Sequence, residues 1–147
     1  MFAAGTTDQS ALRIVTDHSI GGIRLGETSA AIAKSYGPGQ PHHHPTYRSY
    51  ITGRQETDVE FDSRQRAIAV SSGSQALTLE GQKLEKGAAY WRARLKPQGW
   101  RFSRCHGVIS ADSPSGHTGI SFKGSVVFAA VISSNGLSAV TTHCVGQ

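Results

Sequence analysis

The sequence is poor in charge, in cysteine and in long apolar runs. Asp, Glu, Lys and Arg together are 17% of its 147 residues, below the usual quarter. That excludes a fold built on long helices laced with ion pairs, and Gly, Ser and Thr take up the difference. No stretch of 18 apolar residues occurs, so no helix is expected to span a membrane. The opening Met1 to Thr7 lacks the basic start and apolar stretch of a signal peptide. It reads instead as the polar beginning of a mature exported chain.

Several chemical signatures are also missing. There is no Gly-x-Ser-x-Gly elbow and no glycine-rich phosphate loop, so no catalytic residue and no cofactor is expected. Fifteen Lys and Arg against ten Asp and Glu give a net charge of +5, but no run of five basic residues. Arg92, Arg94, Lys96, Arg101 and Arg104 come closest, around Trp91 and Trp100. Such scatter reads as a solvated face, and nucleic acid is not an expected partner. His42, His43 and His44 stand between Pro41 and Pro45. Three consecutive side chains diverge, so this segment reads as an exposed loop and no metal site is expected.

Only two cysteines are present, Cys105 and Cys144, each beside a histidine. A Cys2His2 zinc site requires both members of each pair to face one ion, whereas neighbours in a strand face opposite ways. A disulfide is the leading reading, with free thiols and metal as the others. A bond would close a loop of about 40 residues, worth roughly 3–4 kcal/mol on the chain-entropy estimate. It would also place the chain outside the reducing cytosol.

What is there alternates between helix and strand signals. Thr28 or Ser29 caps a helix carrying Ile32, Ala33 and Tyr36 on one face, and Gly37 with Pro38 stops it. A Pro- and His-rich loop, 39–45, leads to strand-like segments at Tyr47 to Thr52, Thr57 to Asp62 and Ala67 to Val70. In the second half, Leu84, Ala88, Trp91 and Leu95 mark a helix over 83–96. Strand signals follow at Trp100 to Ile109, Thr118 to Lys123, Val126 to Ile132 and Leu137 to Cys144. Leu12 to Val15 reads as a short edge strand.

The halves align in order. Ile23 to Leu25 matches Leu77 to Leu79, Tyr36 matches Trp91, and Val59-Glu60-Phe61 matches Ile120-Ser121-Phe122. The expectation is therefore an α+β fold of two tandem helix-plus-antiparallel-hairpin repeats, forming a sheet with helices on one side. Residues 1–19 form a polar N-terminal segment, 20–74 the first repeat and 75–147 the second, all in one compact unit.

The run Leu25-Gly26-Glu27-Thr28, then Ile32, then Tyr36-Gly37-Pro38-Gly39-Gln40-Pro41 resembles small bacterial envelope lipoproteins that support outer-membrane protein assembly. In duplicate, the unit resembles the beta-lactamase inhibitor protein family, whose curved sheet grips a partner protein. The match spans roughly residues 20–135, with most specific positions in the first repeat. It departs at the second repeat, which lacks the Thr and the Gly-Pro, and in having two cysteines where that family has a disulfide in each repeat. The resemblance implies a secreted or envelope module that binds another protein. The alternatives are a small enzyme with an unrecognised site and a structural subunit of an envelope assembly. Tyr47, Tyr50, Trp100 and Phe102, on the first strand of each half, are the candidate binding residues.

Overall fold

The computed structural model describes residues 12–42, 44–52 and 54–133. Its chain order is β1 (Leu12–Val15), β2 (Ser19–Ile20), β3 (Ile23–Arg24), α1 (Ser29–Tyr36), β4 (Gln40–His42), β5 (His44–Thr52), β6 (Gln55–Phe61), β7 (Ala67–Ser72), β8 (Leu77–Leu79) and β9 (Gln82–Lys83). Helix α2 (Ala88–Leu95) follows, then β10 (Arg101–Cys105), β11 (Val108–Asp112), β12 (Thr118–Lys123) and β13 (Val126–Ile132).

Local chemistry explains both helices. Thr28 accepts a hydrogen bond from the Ala31 amide at 3.1 Å, the N-cap contact its position suggests. The Gly37 amide donates back to the Ala33 carbonyl, and Pro38 prevents continuation. The second helix is shorter than the pattern from Lys83 to Lys96 implies. Gly87, at φ 100°, lies outside helical geometry and separates a 3-10 turn at Leu84–Lys86 from α2. The apolar spacing survives the break, because Leu84, Trp91 and Leu95 are all fully buried.

The strands form two sheets. One has five short strands in the order β3-β2-β1-β8-β9, and the other has eight in the order β10-β11-β12-β13-β7-β6-β5-β4. This overturns the expected α+β fold of two helix-plus-hairpin repeats: the protein is mostly β, and its only helices among the described residues longer than one turn have eight residues each. The five-stranded sheet has no place in that expectation. Its β1 pairs with β8 in parallel, Leu12 opposite Leu77 and Ile14 opposite Leu79, so β1 is central and not an edge. Strands of two to four residues carry too little periodicity to announce such a pairing.

Two further local readings are corrected. Trp100 to Ile109 is not one strand, because His106 and Gly107 both take positive φ and turn the chain between β10 and β11. Within 39–45 the described residues Gln40–His42 form β4 and His44 opens β5, and the two strands pair, with Pro41 on the edge strand. The last strand signal, Leu137 to Cys144, lies outside the described residues.

One continuous core joins both sheets and both helices. Leu12, Ile20, Ile23, Leu77 and Leu79 of the small sheet meet Tyr50, Val59, Phe61, Val70, Ile120, Phe122, Val127 and Val131 of the large one. Helix side chains Ile32, Trp91 and Leu95 belong to the same cluster. The small sheet and the helices thus cover one face of the eight-stranded sheet. No described element packs on the other, the open face, although Ser71, Ser110, Ala130 and Ile132 in its middle are buried and only its hairpin end is exposed.

Candidate functional site

Period-two alternation decides which side chains reach the uncovered face. On β13, Val127, Ala129 and Val131 are core residues, so Val126, Phe128, Ala130 and Ile132 face the other way. On β5, Tyr50 and Thr52 are buried on the core side, so Ser49 and Ile51 face outward. On β6, Thr57, Val59 and Phe61 are buried, which turns Glu56, Asp58 and Glu60 out.

A row of cross-strand partners runs across all eight strands: Arg101, Asp112, Gly119, Ala130, Ser71, Asp58, Ser49 and Gln40. Its middle is tiled with Gly, Ala and Ser, which keeps the centre of the face shallow. Charge stands toward both ends. Ala130 of this row packs with Ile132 and Ala69 into a small apolar cluster of their own.

The described residues hold four exposed large hydrophobics, and three of them are on this face: Ile51 at 63%, Val126 at 61% and Phe128 at 37% exposure. Ile51 and Phe128 lie on strands three places apart in the sheet order, roughly 14 Å at the usual strand spacing. Gly73 leaves room beside the Phe128 ring, since a Cβ there would lie 3.9 Å from its Cδ2 atom. The hairpins β5–β6, β10–β11 and β12–β13 all turn at this end of the sheet, as the pairings Thr52–Gln55, Cys105–Val108 and Lys123–Val126 show.

Between the apolar residues stands the acidic column of β6. Asp58 accepts a hydrogen bond from the Ser49 hydroxyl at 2.6 Å. Tyr47 lies directly opposite Glu60. Burial, and then the charges of Glu60 and Asp58, push the Tyr47 phenol above its ordinary value. At the far end Asp112 faces Arg101 across the ladder. Burial raises the Asp112 carboxyl, Arg101 only partly opposing it, and its Oδ1 is buried with no hydrogen-bond partner among the described residues.

The four expected binding residues do not form one surface. Tyr47 is half-buried on the open face, but Tyr50 is 1% exposed and part of the core. Trp100 is 5% exposed, and Phe102 is half-buried against the core. Parity explains the first pair, because residues three apart in a strand face opposite sides. Topology explains the rest: β5 and β10 stand six places apart in the sheet, roughly 29 Å. Ile51, Val126 and Phe128 are not among the expected residues, although the alternation of Tyr50 and Thr52 marks Ile51 as outward.

Of the expected disulfide, Cys105 is buried at the end of β10 and Cys144 lies outside the described residues. His42 ends β4 and His44 begins β5, while His43 lies outside the described residues. No group of three His, Cys, Asp or Glu able to hold a metal occurs among the described residues. No described helix is long and apolar enough to cross a membrane.

One Asp-Ser-His constellation does assemble away from the face. Asp17 Oδ1 accepts from Ser113 at 2.8 Å and from Thr118 at 2.7 Å, and Oδ2 accepts from Ser115 at 2.6 Å. His117 Nδ1 instead lies 2.8 Å from the Ile132 carbonyl oxygen. A serine nucleophile requires a base to take its proton. Here both serine hydroxyls donate to a carboxylate held below its ordinary value, so the arrangement is a clamp between the β1–β2 turn and the β11–β12 loop. Comparison of the chain with family models, with curated proteins and with solved structures gave no match.

Proposed function

We propose that this chain is a non-catalytic protein-binding module, secreted or held in the cell envelope, that grips another protein with the hairpin end of the open face of its eight-stranded sheet. The observation that carries the reading is the gathering of Ile51, Val126 and Phe128 on one face, at the end where three hairpins turn. Scattered exposed hydrophobics are ordinary, whereas grouping beside a polar rim marks an interaction surface.

The charge pattern specifies the partner's chemistry. The chain is basic overall, yet β6 sets Glu56, Asp58 and Glu60 in one column on this face. No Lys or Arg among the described residues forms an ion pair with Asp58 or Glu60. The complementary partner is a protein presenting Lys or Arg between apolar side chains, since matched charge sets register and encounter rate. The sequence resemblance to envelope proteins and to protein inhibitors supports the same kind of activity and the extracytoplasmic placement.

The test is site-specific photocrosslinking in the native host. A benzophenone side chain at position 51 or 128 should yield one discrete adduct with a different protein, and the same probe at Lys96 on the helical side should yield none. Equal labelling from Lys96, or no adduct from either sheet position, would refute the reading. An adduct of twice the chain mass would replace it with self-association.

A further inference from the structure

The opposite side of the large sheet holds a second feature that the open face does not use. A cleft of about 100 Å³ lies between α2 and β10, lined by Arg92, Phe102, Ser103, Arg104 and Ile109. That is several times the roughly 10–15 Å³ that one water needs, so it admits a small organic group.

Its chemistry follows from where the core runs out. Trp91 and Leu95 are the buried residues of α2, and Arg92 stands exposed on the flank of the helix. Strand β10 is the edge of the sheet. Phe102 and Arg104 share one side of it by alternation, and Phe102 packs against the core. Arg104 therefore occupies a core-side position, directly opposite Ile109, with no further described strand beside it. Inner strands fill such positions with Ile120 and Phe122.

Two cationic side chains thus line one small cleft. The ion pairs of the described residues are Arg94 with Glu80 and Lys83 with Glu85, and neither involves Arg92 or Arg104. Like charges facing one cavity raise each other's energy, and an anion between them reverses the sign. Guanidinium forks match the two oxygens of a carboxylate. Phe102 and Ile109 add an apolar wall that bare phosphate does not use.

We infer that the cleft between α2 and β10 is a binding site for a carboxylate carried on a short apolar stem. Its Phe102, Arg104 and Ile109 lie on the core side of the sheet, away from the docking face.

The experiment is a titration of the full chain followed by amide and arginine side-chain NMR at constant ionic strength. Hexanoate should shift Arg92, Phe102, Arg104 and Ile109 saturably, and neutral hexanamide should not. Arg92→Gln or Arg104→Gln, both at exposed positions, should weaken hexanoate by about tenfold, the scale of one charge-assisted contact, while the rest of the spectrum stays folded. Acetyl-Gly-Leu binding tighter than hexanoate assigns the carboxylate to a peptide C-terminus, and the reverse order assigns it to a free acid; either upholds the site. Equal shifts with hexanamide, inorganic phosphate binding as tightly as hexanoate, or shifts confined to other residues would overturn it.

Discussion

Replacing Asp17 by Asn tests how much of the fold hangs on one carboxylate. Asp17 sits in the β1–β2 turn at φ 67°, a conformation that Asn also tolerates. Its side chain ties that turn to hydroxyls about a hundred residues later in the chain, those of Ser113, Ser115 and Thr118. Ser113 and Thr118 are fully buried, so their polar atoms depend on partners inside the protein. The Asp17 amide also donates to the Thr118 hydroxyl at 2.6 Å. The Asn side chain keeps the shape but removes the charge. Neutral hydrogen bonds are about half as strong as charge-assisted ones. Over three bonds, with solvent screening at a partly exposed carboxylate, the loss is about 1–2 kcal/mol. For a chain of this length that lowers Tm by roughly 2–8 °C. Denaturation by urea and by heat, followed by circular dichroism, measures it.

The pH dependence adds a second reading. Burial alone raises the Asp17 carboxyl, but the hydroxyls of Ser115, Thr118 and Ser113 and the charge of His117 outweigh it and hold it below 3.8. A group whose folded value is depressed stabilises the protein above its unfolded value, and that stabilisation is lost as pH falls through the folded one. Wild type and variant should differ most at neutral pH and converge in acid. A stability change under about 0.5 kcal/mol, within the range of an ordinary surface substitution, or a gap that stays constant into acid, would refute the clamp.

Three other outcomes follow. Trp91→Ala removes a fully buried side chain and should cost about 3–5 kcal/mol in urea unfolding. Gly39→Ala should destabilise by roughly 1–3 kcal/mol, since its φ is +72° and a Cβ would lie 2.8 Å from Tyr50 Cε1; shifted Tyr50 resonances should accompany the loss. Asp112→Asn should stabilise the protein at neutral pH: burial raises this carboxyl, so its charged form opposes folding above the folded value, and the benefit should vanish below 3.8 in a pH series of melts.

The sequence was most legible where a few adjacent residues settle the structure. The Thr28 cap, the Gly37-Pro38 stop and the alternation through Val59 and Phe61 each needed only local information, and each element appears there. The fold class was misread because the small sheet is made by pairing, not by pattern. Nothing in Leu12 to Val15 specifies Leu77 to Leu79 as its parallel neighbour. The β10–β11 hairpin was missed because apolar residues on both sides of His106-Gly107 masked a two-residue turn. The four candidate binding residues scatter for a different reason: aromatic content carries no information on parity. Tyr50 and Trp100 are large enough to be wanted by the core, and the core took them. The open face was left to smaller residues, to Tyr47 and to Phe128. The cleft at Arg92 and Arg104 was within reach only as a scatter of charge, since its walls come together through the packing of α2 on β10.

The place of β13 in the sheet has a consequence for synthesis. It is the last described strand of the chain, yet it lies in the middle, between β12 and β7. As the polypeptide leaves the ribosome, β4 to β7 can pair among themselves, but the free edge of β7 must wait for Ala129 to Ile132. At 5–20 residues per second the delay is roughly 3–12 s. During it, β7 offers an open row of peptide groups to any neighbouring strand. The last described strand to emerge therefore joins the two halves of the sheet and also closes an opportunity for mispairing.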